Sequence, residues 1–380
     1  MNENECRKPR QMAIDYKQSE KEKQGPTNAG FSSDVPPAKA PPHSPMFFFH
    51  AVMRKVTGFP APSGFGINNL FTLRFGNRKT FNDYMSCGGA STTPALNEIS
   101  ASWPHPRAFS QTVLLFLLVM GGLSFAAVFF GDRENCLEVS VGGAMAFPIA
   151  YAMFFFDLNV SRNISLFEII RLIALGGILS HVIALLLYEL SHELIPRDAI
   201  GWDAAFIEEP AKLIAAVLLA GGIRDFKWTL NGVLIGAAVG AGFAALENII
   251  YLFPQIESAP RLVFPVIFGR GITIALMHVA FTGAVAGALW RAKGAGPFSF
   301  ALFLKPMFLR VLLLAIGLHL LNNWLAGMKT NTGISLLLVK QIPGILLLLC
   351  SVYVVLSVAQ MGLDEVREAQ AKQSASQNKE

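Results

Sequence analysis

The chain has 380 residues, 53% hydrophobic and only 15% charged, with a formal net charge of +5 and a mean hydropathy of +0.46. Soluble domains carry roughly 25% charged residues, so a water-soluble globular fold is excluded as the main architecture and lipid is the expected solvent. The basic excess sits in an N-terminal tail and in short segments between apolar runs, which is a membrane-topology pattern and not a nucleic-acid face.

Residues 1 to about 45 hold a mixed-charge run around Lys17 to Lys23 and the prolines Pro36, Pro37, Pro41, Pro42 and Pro45. Such a segment cannot bury enough apolar surface to fold. From Met46 to Arg107 the chain alternates Phe with Gly, Asn, Pro and Arg, with no sustained period of 2 or 3.6. Residues 1–107 are therefore expected to be a disordered or poorly structured cytoplasmic tail, contributing nothing visible to the membrane unit and consistent with an over-extended gene start. Met1 to Ala40 is polar, charged and Pro-rich, unlike a secretory signal, so the first membrane helix is expected to do the targeting. The four cysteines, Cys6, Cys87, Cys136 and Cys350, show no paired spacing and indicate neither a disulfide framework nor a thiolate metal site.

A membrane-spanning helix needs about 20 mostly apolar residues. About eight runs qualify, at 110–130, 140–157, 166–190, 204–222, 229–253, 265–290, 306–326 and 333–359. The expected fold is all-α and polytopic, with a membrane domain over 108–360 and a cytoplasmic C-terminal tail over 361–380. Arg162, Arg224, Lys227, Arg291, Lys293 and Lys305 fall on the side of the two tails, whereas Asp132, Glu134, Glu193, Asp198 and Glu257 fall on the other. By the positive-inside rule both termini are inside, with Arg133, Arg197, Arg261 and Lys329 as exceptions.

The fourth run opens W-D-A-A-F-I-E-E-P-A-K-L, which puts Lys212 within helical reach of Glu208 at i,i+4 and of Glu209 at i,i+3, with Pro210 expected in the first turns. A buried carboxylate costs several kcal/mol unless paired, neutralised or wetted. Interfacial snorkelling explains one acid there more readily than two. The fifth run places Gly236, Gly240, Phe243 and Glu247 along one face, with Asn248 beside them. A glycine seam lets helices approach closely in a bilayer, and the same face then carries Glu247 inward. The sixth run holds His278 ahead of the packing pair Gly283 and Gly287, and the seventh ends with His319, Asn322, Asn323 and the interfacial Trp324. A lone intramembrane histidine is often only an interhelical hydrogen bonder. Depth argues for more: at about 1.5 Å per residue, Glu208, Glu247, His278 and His319 all lie roughly 7 to 20 Å below the same, extracytoplasmic surface. Arg270 enters the same region, but one position assigns it no role. Glu168, Arg171, Glu189 and Glu193 read as interfacial charges, and Asp157 and Asp203 as helix-end residues.

Several carboxylates in a low-dielectric cavity cannot all ionise, so one is expected to keep its proton while another stays a base. That pairing suits attack of water on an amide: a Glu deprotonates the water, His and Asn side chains hold the oxyanion, and the protonated partner assists the leaving amine.

The ordered set E-E-x-x-K (Glu208, Glu209, Lys212), F-x-x-x-E-N (Phe243, Glu247, Asn248), a mid-helix His (His278) and H-x-x-N-N (His319, Asn322, Asn323) resembles the PrsW family of intramembrane proteases. It is distantly similar to the CAAX-prenyl endopeptidases and bacteriocin-processing proteases. The resemblance covers about Ala204 to Trp324. It implies hydrolysis of peptide bonds in membrane-anchored proteins or peptides within the lipid bilayer of a bacterial cytoplasmic membrane, in some members the first cut of an anti-sigma factor. Glu208, Glu209, Glu247, His278 and His319 are the expected catalytic set, supported by Lys212, Phe243, Asn248, Asn322 and Asn323. Zinc held by His278, His319 and Glu247 is the alternative mechanism; the metal-free scheme is preferred because the E-E pair supplies acid and base unaided. A proton- or ion-coupled transporter is the competing class, but no internal repeat is visible. Substrate identity and oligomeric state are not encoded in these motifs.

Overall fold

Runs of Leu, Ile, Ala and Phe that exceed the thickness of the hydrocarbon layer must satisfy their own backbone hydrogen bonds, and in a bilayer a helix does this residue by residue. In the computed structural model the described residues are 45–62, 64–67, 93–130, 134–191, 202–258, 269–329 and 337–377, with Leu70 and Ile267. Regular structure among them is helical throughout. The helices are α1 (Pro45–Thr57), α2 (Arg107–Phe130), α3 (Glu134–Leu158), α4 (Leu166–Ser191), α5 (Trp202–Ala220), α6 (Thr229–Ser258), α7 (Ala275–Lys293), α8 (Pro306–Gly327) and α9 (Ile342–Gln377). Two π-helical turns, Arg270–Ile274 and Leu337–Gln341, lead into α7 and α9. Short 3-10 turns occur at Leu96–Glu98 and Phe300–Leu304.

Each of the eight expected spans overlaps a helix, with residues 265–266, 268 and 333–336 of two of them outside the described residues, and the chain is a multi-pass integral membrane protein. Among the described residues six helices are long and apolar enough to cross a bilayer: α3, α4, α6, α7 with its π turn, α8 and α9. On α2 the described apolar stretch is shorter, Arg107–Gly122. The fourth span, α5, carries Asp203, Glu208, Glu209 and Lys212 and so stands apart from the six. It begins at Trp202, so Pro210 sits inside the helix and not in its first turns. There the ring denies the Phe206 carbonyl its usual i+4 donor, one residue from Glu209.

The centre of the bundle is the α6–α7 pair, with α3, α4 and α5 packed on α6 and with α8 and α9 packed on α7. Glycine sets how closely these helices approach. A Cβ on Gly236 would lie 2.2 Å from the Thr282 carbonyl oxygen of α7, and one on Gly242 only 1.9 Å from the Ile173 carbonyl oxygen of α4. No side chain fits at either place. At the opposite end of α6, fully buried Asn231 donates to Asn159 Oδ1 at 2.9 Å and Asn163 Oδ1 at 2.7 Å, pinning the α3–α4 connection to the start of α6.

Met1–Ser44 lie outside the described residues, but parts of the segment before Arg107 depart from the expectation. Pro45–Thr57 is helical, and its cues are local. Pro45 stands at the first position, Arg54 and Lys55 in the last turn, and Gly58 takes a positive φ of 73° where the Gly58 N–H returns to the Arg54 carbonyl at 2.8 Å. Phe49 packs edge-on against Tyr353 of α9, and Arg310 of α8 donates to the Thr57 carbonyl at 3.2 Å. Trp103 Nε1 donates to Gln360 Oε1 at 2.7 Å, and Gln370 donates to the Leu96 and Ile99 carbonyls at 2.7 Å each. The expected C-terminal tail is, through Gln377, a continuation of α9, because Glu, Ala, Gln and Lys favour helix once the chain leaves the apolar stretch.

Candidate active site

The glycine seam on α6 faces α7, and the helical phase that places Gly232, Gly236 and Gly240 against α7 carries Phe243 and Glu247 to His278 on the same partner. α5 and α8 close the site from the other side. A cavity of about 430 Å³ lies between them, with Glu208, Glu247, His278, His319, Asn322 and Asn323 on its walls. Both asparagines of the H-x-x-N-N motif therefore face it.

Lys212 is the hub beneath the cavity. It is 0% exposed, and its Nζ donates to Glu209 Oε1 at 2.8 Å and to Glu208 Oε2 at 3.4 Å, and lies 2.8 Å from His278 Nδ1. The Phe243 ring closes the remaining side, with its centroid 4.1 Å from Nζ. Glu209, 2% exposed, takes both Lys212 and His319 Nδ1, the latter at 2.9 Å, on one oxygen. It lies behind the wall, outside the cavity lining. Glu208 is held loosely: the Tyr188 hydroxyl donates to Oε1 at 3.5 Å, and Oε2 lies 3.9 Å from His319 Nε2. Glu247 has closer neighbours, with Oε2 2.9 Å from His278 Nε2 and Oε1 3.1 Å from Arg270 Nη2, although the angles at Oε2 make no hydrogen bond.

The structure draws all ten sequence-selected residues into one cluster. Asn248 is the outlier in direction, since it turns toward α3, donates to the Ala144 carbonyl at 3.4 Å and accepts from Arg270 Nε at 3.4 Å.

The chain matches, over residues 168–359, a family profile described as PrsW family intramembrane metalloprotease, just over half its length. The chain belongs to the PrsW family. It is also similar to Protease PrsW of Geobacillus kaustophilus (strain HTA426), at 27% identity over 205 residues, which is 50% of this chain and 89% of that relative. No solved structure matches significantly. The matched region begins in α4 and ends in α9, so the whole cluster falls inside the PrsW unit.

The family's description includes a metal, and the donors present bear on that. His278 faces Lys212 with one ring nitrogen and Glu247 with the other, His319 Nδ1 faces Glu209, and a lysine ammonium stands where Glu208, Glu209 and His278 meet. Among the described residues no three His, Cys, Asp or Glu side chains converge as ligands of one ion. As arranged, these side chains do not fit a metal.

Three partners escaped the motif reading. Arg270, at the start of the π turn, bridges Glu247 and Asn248 and lies 3.8 Å from the Tyr251 ring. The π turn aims it, and the carbonyl of Ile272 in that turn accepts from the Tyr151 hydroxyl of α3 at 3.0 Å. Tyr188 reaches Glu208 from α4. His181, also on α4, stacks on the outer face of Phe243 at 4.1 Å between centroids. Its signal was as plain as that of His278, a histidine in mid-span, yet it stood outside the four ordered motifs.

Proposed function

We propose that this protein hydrolyses peptide bonds of membrane-anchored proteins at the cavity, with Glu208 as the base that activates water. The observation that carries this reading is the unequal hold on the two wall carboxylates. Glu247 lies 2.9 Å from His278 Nε2 and is ion-paired with Arg270 at 3.1 Å, whereas the contacts of Glu208 are all 3.4 Å or longer. Glu208, on the cavity wall with only long contacts, is the carboxylate with room to take a proton from water, while Glu247 is paired by charge with Arg270. Glu208 takes a proton as the water oxygen bonds to the carbonyl carbon. The Asn322 and Asn323 amides, on the α8 wall, supply N–H groups to the oxyanion. The carbon–nitrogen bond then breaks as the proton passes to the leaving nitrogen, giving a carboxylic acid and an amine. Glu209 and Lys212 are positioning residues in this scheme, and Glu247 orients His278.

The scheme needs no metal. The charge pattern of the connecting segments supports termini on the cytoplasmic side of a bacterial membrane and a cavity toward the extracytoplasmic half. An anti-sigma factor anchored by one span is the kind of substrate such a site would take.

The test uses purified protein in liposomes with a membrane-anchored reporter. Glu208→Gln and Glu247→Gln are each expected to abolish cleavage while the protein still accumulates and folds; full activity in both would sink the assignment. Metal content and chelator response of the active enzyme test the rest, since activity that tracks bound zinc would overturn the metal-free scheme.

A further inference from the structure

An ammonium group has three N–H donors and no acceptor. Lys212 Nζ directs its donors at Glu209 Oε1, His278 Nδ1 and Glu208 Oε2, at 2.8, 2.8 and 3.4 Å. A ring nitrogen that receives an ammonium N–H must offer its lone pair, so His278 Nδ1 is unprotonated. In a neutral imidazole the proton then sits on Nε2, which lies 2.9 Å from the Glu247 carboxylate. His319 is the reverse case. Its Nδ1 lies 2.9 Å from Glu209 Oε1, the oxygen that also accepts from Lys212. A carboxylate accepts, so Nδ1 carries the proton and Nε2 keeps its lone pair. That nitrogen stands 3.9 Å from Glu208 Oε2, too far for a direct hydrogen bond and within the span that one water bridges.

We propose that Lys212 sets opposite tautomers on the two intramembrane histidines, N–H at Nε2 of His278 and at Nδ1 of His319, and so presents His319 Nε2 as the basic ring nitrogen beside Glu208. The assignment stands on the hydrogen bonds alone; its use rests on the hydrolysis reading above. In that use the proton removed from water passes from Glu208 to His319 Nε2 and is delivered from there to the leaving nitrogen as its bond to carbon breaks. While His319 holds two protons, Glu209 is its counter-charge, fixed in place by Lys212. Glu209, which lines no part of the cavity, thereby acquires a function. His278, committed at both nitrogens, has no lone pair to offer a metal ion while the Lys212 ammonium is in place.

The test is 15N spectroscopy of full-length protein labelled at histidine, in detergent micelles without added metal. The two resonance pairs are assigned through His278→Gln and His319→Gln. The expected spectrum has His278 protonated at Nε2 only and His319 at Nδ1 only. Lys212→Arg, which also only donates, should keep the His278 tautomer, and Lys212→Met should lose its preference. The wild-type spectrum decides by itself should Lys212→Met not fold. A proton on His278 Nδ1, a proton on His319 Nε2, or a His278 nitrogen that shifts with one equivalent of zinc overturns the proposal. Full cleavage by Glu208→Gln with both tautomers as assigned would remove Glu208 as base and uphold the tautomers.

Discussion

The two ends of the α6–α7 pair are built to opposite specifications. Along the seam the backbones are so close that Gly232, Gly236 and Gly240 have no room for one more carbon; toward Glu247 and Arg270 the same helices border a cavity of about 430 Å³. The dry end meets backbone and the wet end meets an open cavity, yet they are one structural device. Gly240 joins them, because a Cβ there would meet the His278 carbonyl oxygen at 2.7 Å. Close packing of the seam is what fixes a histidine backbone to within a fraction of an ångström, and a site of charged groups in lipid needs that. In a bilayer, where burial of apolar side chains gives no drive for helices to associate, van der Waals contact between small residues is the available means.

Substitutions can pull the two ends apart. Glu208→Gln is expected to lower kcat by about 100- to 10,000-fold with no change in thermal unfolding in detergent. Gly236→Ala should do the reverse in kind, costing about 3 kcal/mol of stability, read as a lowered unfolding midpoint before any activity is assayed. If Gly236→Ala unfolds like the wild type, the seam is not the rigid half. Gly240→Ala, at the junction, should affect both readouts. Arg270→Lys keeps a cation but loses the planar fork that spans Glu247 and Asn248, and about a tenfold loss in kcat with KM little changed is expected. The smallest effect belongs to Gly317→Ala on α8. A Cβ there meets nothing within 4 Å, so stability should stay within about 0.5 kcal/mol in the same unfolding assay.

The dry end was the legible one. Apolar runs announce spans, and glycines spaced by four announce a seam, so every expected span overlaps a helix among the described residues. The wet end was half legible. Glu208, Glu209, Glu247, His278 and His319 stand out because ionisable groups are costly in lipid, and depth arithmetic brought them together. Arg270 was visible but could not be aimed, since the α-helical period gives the wrong direction through a π turn and nothing in R-G-I-T-I marks one. Lys212 was read as a partner for the two adjacent acids through its spacing, whereas its contact with His278 crosses between helices and has no sequence period. Pro45–Thr57 was missed for another reason: Pro, Phe and Arg mask a helix whose cues are its two ends.

The π turn at Arg270–Ile274 amounts to one residue more than an α-helix needs, and that surplus works as a phase shifter. Deleting a single residue within it would restore ordinary helix and rotate everything on its N-terminal side by about 100°. α7 and its histidine would stay in place while Arg270 swung away from Glu247 and Asn248. In such a deletion the bundle should assemble and unfold as before, with the charge pattern at the mouth of the cavity rewritten.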